Sequence, residues 1–129
     1  MDTHRRIALC GVAYVLVVAC PVLAHHSTGL FDQGKVVSRT GTVRQFEWIN
    51  PHTWLHVDVV DANGKVATWS FEGGATRGLS GLGWSADVLP HGTKITVGFR
   101  AMKDGSRGGQ LMSVTLPDGR RLCSNLGCG

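Results

Sequence analysis

Two periodicities divide the chain. From Ile7 to Cys20 the residues are almost unbroken apolar, Ile-Ala-Leu-Cys-Gly-Val-Ala-Tyr-Val-Leu-Val-Val-Ala-Cys. Beyond His25 such runs vanish, and apolar and polar positions alternate with the period of two that marks strands. Lys35 to Ile49 reads as one long strand-forming stretch, with Gly41 at the place for a bulge or sharp bend. Asn50-Pro51 breaks it. From His52 to Val60 the alternation is clean: Leu55, Val57 and Val59 share one face, and His52, Trp54, His56 and Asp58 the other. Lys94 to Ala101 predicts a fourth strand with Ile95, Val97, Phe99 and Ala101 inward, and Gln110 to Leu116 a fifth. The glycine-rich stretch 103–109 is the loop between them. Arg120 to Cys123 is a last extended piece after the Pro117-Asp-Gly119 turn. Ahead of the fourth strand, Ser85 is placed to cap a short helical turn over 86–89, which Pro90 and Gly92 end.

The third strand follows from a register test at Asp61-Ala-Asn-Gly64-Lys65. A two-residue Asn63-Gly64 turn pairs Ala62 with Lys65 and sets Leu55 opposite Glu72, which mixes apolar and polar faces. A three-residue loop with Gly64 left-handed pairs Asp61 with Lys65 instead. Val59 then meets Ala67, Val57 meets Trp69 and Leu55 meets Phe71, while Asp58 meets Thr68, His56 meets Ser70 and Trp54 meets Glu72. Only this register keeps one apolar face, so it is the one expected. The order strand, strand, strand, short helix, strand, strand predicts an all-β domain with one short helix, a small five-stranded OB-like, partly open barrel.

The apolar run at the start changes what the domain is. Arg5 and Arg6 precede it, and Pro21-Val-Leu-Ala24 follows, the pattern of a secretory signal over 1–24 with cleavage before His25. The run is short for a retained span and holds Gly11 and Pro21, so no stable membrane span is expected after processing. Val17-Val-Ala-Cys20 loosely matches a lipoprotein box, which would instead anchor the chain through a lipidated Cys20. The expected location is periplasmic or secreted. What remains is a barrel domain over 25–122 and a tail over 123–129. Export and 11 basic against 8 acidic side chains from His25 onward leave nucleic acid an unexpected partner. In an oxidising compartment Cys123 and Cys128 are expected to form a disulfide, its contribution limited by the short loop.

Candidate chemistry lies on two histidine clusters. In a barrel of this type the second and third strands form the usual ligand face. Their outward residues, His52, Trp54, His56, Asp58, Thr68, Ser70 and Glu72, are richer in imidazole, carboxylate and indole than solubility requires. His52 and His56 stand too far apart on a straight strand to share one metal easily, so each would need a partner from another strand or loop. The second cluster is His25-His26-Ser27. Cleavage after Ala24 would give His25 a free amine beside its imidazole, a chelate that with His26, His52 or His56 suits Cu(II). Weaker signals are the Gly73-Gly-Ala-Thr-Arg-Gly78 stretch, which lacks the Gly-Lys-Ser/Thr of a phosphate loop and reads as a linker, and Arg100, Lys103 and Arg107, which could grip an anion. Ser27, Ser70 and Ser113 sit in no nucleophile elbow; Glu47 and Glu72 could serve as paired carboxylates, but no catalytic residue is assigned.

The string Glu47-Trp-Ile-Asn-Pro-His52-Thr-Trp54, with His25-His26-Ser27, Trp69-Ser-Phe-Glu72, Gly83-Trp84, Lys103-Asp-Gly105 and Leu116-Pro-Asp-Gly119, resembles the domain-of-unknown-function family numbered 6152, small exported bacterial proteins. The resemblance covers nearly all of 25–121 and implies an exported β-rich domain with no established activity. It carries no catalytic residues. The function expected is therefore a periplasmic binding protein, whose ligand or transition metal, copper among the candidates, would meet Glu47, Trp48, Asn50, His52, Trp54 and Glu72, with His25, His26, His52 and His56 as metal ligands. The alternative is a metal-free interaction subunit that docks an envelope protein. An enzyme ranks third.

Overall fold

The computed structural model describes residues 28–129. The signal segment, Cys20, His25 and His26 lie outside the described residues. Six strands, β1 (Val37–Glu47), β2 (Trp54–Val60), β3 (Val66–Glu72), β4 (Lys94–Ala101), β5 (Gly108–Thr115) and β6 (Arg121–Cys123), surround one short helix, α1 (Thr76–Ser80), after a 3-10 turn at Thr28–Leu30. They hydrogen-bond in the order β3-β2-β1-β4-β5-β6, and a further β3–β5 pairing closes the first five into a barrel. Every neighbour pair is antiparallel except β3 with β5, which run parallel over only three residue pairs. The fold is thus the all-β, one-helix, five-stranded barrel that the sequence predicts, with β6 added at the edge of β5.

The β2–β3 register is the one selected above, with Leu55 opposite Phe71, Val57 opposite Trp69, and Asp61 N–H donating to the Lys65 carbonyl. Gly64 has φ 77° in that loop. Inward residues of five strands meet in one core, including Val43, Leu55, Val57, Phe71, Val97, Phe99, Leu111 and Val114, each under 2% exposed. Phe71 and Phe99 stand at its centre with ring centroids 4.8 Å apart. Alternation produces this because each strand turns every second side chain to the same side, where burying a large apolar side chain contributes about 1.5–3 kcal/mol.

β1 is shared: its first half pairs with β4 and its second half with β2, Thr42 pairing with both Lys94 and Asp58. The strand must bend there, and a Cβ on Gly41 would come within 2.6 Å of the Val57 side chain. The register irregularity itself falls slightly later, between Val43 and Gln45. That extra residue, Arg44, shifts the phase of the strand. Val43 and Phe46 both turn to the core, and Glu47 turns outward.

The helix differs from expectation. It forms at Thr76–Ser80, beginning within the stretch read as a linker, while 85–89 is a turn in which Val88 N–H donates to the Ser85 carbonyl. The reason is tertiary. Asn50 Oδ1 accepts from both the N–H and the hydroxyl of Thr76, each at 3.0 Å, supplying from another loop the cap that Ala75 lacks. Leu79 then anchors the helix in the core, and Trp84, 3% exposed, donates from Nε1 to the Cys123 carbonyl at 2.8 Å. Among the described residues no helix is long and apolar enough to cross a membrane.

Candidate functional site

The outward face of β1, β2 and β3 carries polar rungs that cross three strands. In one, Arg44 approaches Asp58 at 3.4 Å, and the Thr68 hydroxyl donates to Asp58 Oδ1 at 2.7 Å. In the next, His56 lies between Glu47 and Ser70: Nε2 is 3.2 Å from Glu47 Oε1, and Nδ1 is 2.8 Å from Ser70 Oγ. A carboxylate oxygen only accepts, so Nε2 carries the proton, and in the neutral ring Nδ1 then accepts from the Ser70 hydroxyl. Beyond it, His52 Nδ1 pairs with Glu72 Oε1 at 2.7 Å. The Thr68 hydrogen bond, followed by the Arg44 charge, holds the Asp58 carboxyl below its ordinary value of 3.8.

These rungs decide what each histidine can do. Both ring nitrogens of His56 are engaged, so a metal there would have to displace Glu47 or Ser70. His52 keeps Nε2 without a partner among the described residues, and its side chain is 40% exposed. The Glu47–His56–Ser70 array could move a proton off the Ser70 hydroxyl. Nothing in it supplies the paired donors that a developing oxyanion needs, so the array alone does not constitute an acyl-transfer site.

Beside the rungs is a cavity of about 260 Å³, walled by Leu30, Phe31, Trp54 and Met102, with Ser70, Glu72 and Arg107 at its polar side and Gly108 and Gly109 behind. The 3-10 turn and the β4–β5 loop form its two lips. Both are tied in place, since Lys103 N–H donates to the Leu30 carbonyl and Phe31 bridges to Met102. The bare glycines let β5 approach both neighbours: a Cβ at Gly108 would fall onto the Ser70 carbonyl oxygen of β3, and one at Gly109 onto the Arg100 carbonyl oxygen of β4.

The structure gathers Glu47, His52, Trp54, His56 and Glu72 on one outward face. It sends two of their neighbours elsewhere. Trp48 packs against Phe46 at 5.7 Å on the rim of the core, and Asn50 is occupied as the helix cap. Arg44 and the two glycines are the parts that sequence reasoning missed as components of this face. The β2–β3 register already set Ser70 opposite His56, so the imidazole–hydroxyl contact was available to it. Among the described residues no three His, Cys, Asp or Glu side chains come together as a metal site. Arg100, Lys103 and Arg107 do not converge in one cavity: Arg100 lines a separate groove and Arg107 this one. A disulfide joins Cys123 to Cys128.

Compared with known proteins, residues 12–112 match the model of a family of unknown function, DUF6152. No curated protein and no solved structure matches the chain.

Proposed function

We propose, for a chain that belongs to the DUF6152 family of unknown function, that the barrel is an exported binding module, and that its ligand is a small apolar molecule held against Trp54. The cavity of about 260 Å³ on the β2–β3 face carries this reading, because it combines apolar walls with a few convergent polar groups. Its volume is near the lower end of ligand pockets, roughly 300 Å³ upward, which favours a compact ring or short chain. Glu72 is held by His52, whereas Arg107 has no ion-pair partner among the described residues, so a carboxylate on the ligand would find its counter-charge there. The export part rests on the basic, apolar and small-residue pattern ahead of the described residues, and the disulfide suits that compartment.

The test is titration of the 15N-labelled protein with benzoate, hexanoate and indole. Saturable shifts at Gly108, Gly109 and the Trp54 indole, lost in Met102→Glu, support the reading. The absence of shifts with all three probes, or shifts that survive Met102→Glu, would overturn it.

His52 favours a second reading, copper binding. Metal-bound histidines commonly donate their other ring N–H to a carboxylate, and Glu72 holds His52 Nδ1 in that manner. His25 or His26 would have to complete the site. Cu(II) titration of the processed protein with EPR detection would support it through a nitrogen-type signal that disappears in the His25→Ala, His52→Ala double variant. A signal that persists there would exclude it.

A further inference from the structure

Lined by residues of β1, β4 and β6 and of the segment ahead of β1 lies an open groove of about 780 Å³. Ser38 and Gly98, paired across β1 and β4, line its floor, and buried Ser113 pairs with Gly98 from β5. A glycine in the middle of a strand weakens the sheet and leaves its surface bare. Around that floor stand Lys35, Arg39, Arg100 and Arg121, and no Asp or Glu lines the groove. None of the four has a carboxylate within ion-pair distance among the described residues, where only Arg44 and Arg120 among the lysines and arginines are so paired.

The contacts these cations do make leave their charge uncompensated. Arg100 donates from Nη1 to two neutral amide oxygens, Gln33 Oε1 at 2.7 Å and Gln110 Oε1 at 3.3 Å, and its buried Nε has no partner. Arg121 donates from Nη2 to the Ser113 hydroxyl and the Cys128 carbonyl. Arg39 lies over the Trp69 ring, 5.3 Å from its centroid. Neutral acceptors orient a guanidinium without cancelling it, and a cluster of like charges over one concave surface draws in anions. Guanidinium forks match the oxygen geometry of phosphate and carboxylate.

We propose that this groove is a second binding site, separate from the Trp54 cavity, for an oxyanion of the phosphate type that bears at least two negative groups. The four cations carry more positive charge than one phosphate, at about −2, offsets. The source of that chemistry is either a soluble diphosphate or the headgroups of an anionic bilayer.

The experiment is calorimetric titration of the purified protein with inorganic pyrophosphate at low salt, beside sedimentation with phosphatidylglycerol vesicles and with neutral phosphatidylcholine vesicles. Binding that is saturable, weakens as salt rises, and falls at least about tenfold in Arg39→Gln/Arg121→Gln supports the site. Both side chains are exposed, so the variant keeps the fold. Pyrophosphate binding assigns a soluble ligand. Binding to the anionic vesicles alone, with the same loss in the variant, assigns the headgroups. No binding to either probe, or equal binding by the double variant, overturns the proposal. Neither outcome touches the Trp54 cavity, whose probes read different residues.

Discussion

His56 Nδ1 and Ser70 Oγ lie 2.8 Å apart across β2 and β3, and Glu47 on β1 reaches the other ring nitrogen. One imidazole therefore links three strands on the outward face. Removing the hydroxyl in Ser70→Ala leaves Nδ1 half-buried without its donor, at a cost of about 1 kcal/mol. His56→Ala strands both Glu47 and Ser70 and is expected to cost about 2 kcal/mol. In urea denaturation the two losses should not add, with a coupling of at least about 0.5 kcal/mol. Strict additivity would show that the bond contributes nothing.

Closure of the barrel makes a sharper demand. β3 and β5 pair through only three residue pairs, and at one of them Gly108 is pressed against the Ser70 carbonyl oxygen. Gly108→Ala is expected to cost more than about 2 kcal/mol, because the Ser70 backbone must move to admit the methyl group. Exchange of the Ser70 amide, which donates to the Arg107 carbonyl, should accelerate with it. Gly105→Ala is the control. It has φ 77° but open space around it, so only left-handed strain of about 1 kcal/mol is expected. Equal losses at the two positions would show that crowding does not govern closure.

The difference between what could be read from the sequence and what could not follows the range of the interactions. Leu55–Phe71 and its companions were legible because a short loop and a strict alternation allow one register. β4 was legible for the same reason. The helix was not, since its cap is Asn50, 26 positions from Thr76, and Ser85 offered a local imitation of a cap. The bulge at Arg44 carries no glycine or proline to announce it, yet it is what turns Glu47 toward His56. The outward face of β2 and β3 was therefore recognised while its three-strand rungs were not. Trp48 and Asn50, expected among the ligand-contacting residues, are engaged elsewhere. One points to the core, and the other lies past the end of β1, where a helix claims it. The basic groove draws on residues from Lys35 to Arg121 that only the strand order β1-β4-β5-β6 brings together.

Acid should weaken the Arg44–Asp58–Thr68 rung. The Thr68 hydroxyl, more than Arg44, lowers the Asp58 pKa below 3.8. A carboxylate with a depressed folded-state value stabilises the fold above its unfolded value, and that contribution fades as pH falls through the folded value. Asp104 and Asp118 are lowered as well, chiefly by hydrogen bonds from Ser106 and Arg120, and act in the same direction. Thr68→Val should raise the Asp58 midpoint in an NMR titration of its carboxyl carbon and reduce its share of the acid sensitivity. An unchanged midpoint would assign the depression to Arg44 instead.

The Cys123–Cys128 bridge secures the tail without holding up the barrel. It closes a loop with a sequence separation of five, for which chain-entropy reasoning allows at most about 2 kcal/mol. Cys123 is also held independently: it pairs with Ser113 in the β5–β6 ladder, and its carbonyl accepts from Trp84. Cys128 has no such ladder. Cys128→Ser should therefore leave the Trp84 environment and its fluorescence unchanged while amides from Leu126 onward exchange faster. The bond from Arg121 to the Cys128 carbonyl should loosen with the tail, returning that guanidinium to the groove. A red-shifted Trp84 emission in the variant would mean that the bridge, and not the β6 ladder, positions the carbonyl to which this side chain is bonded.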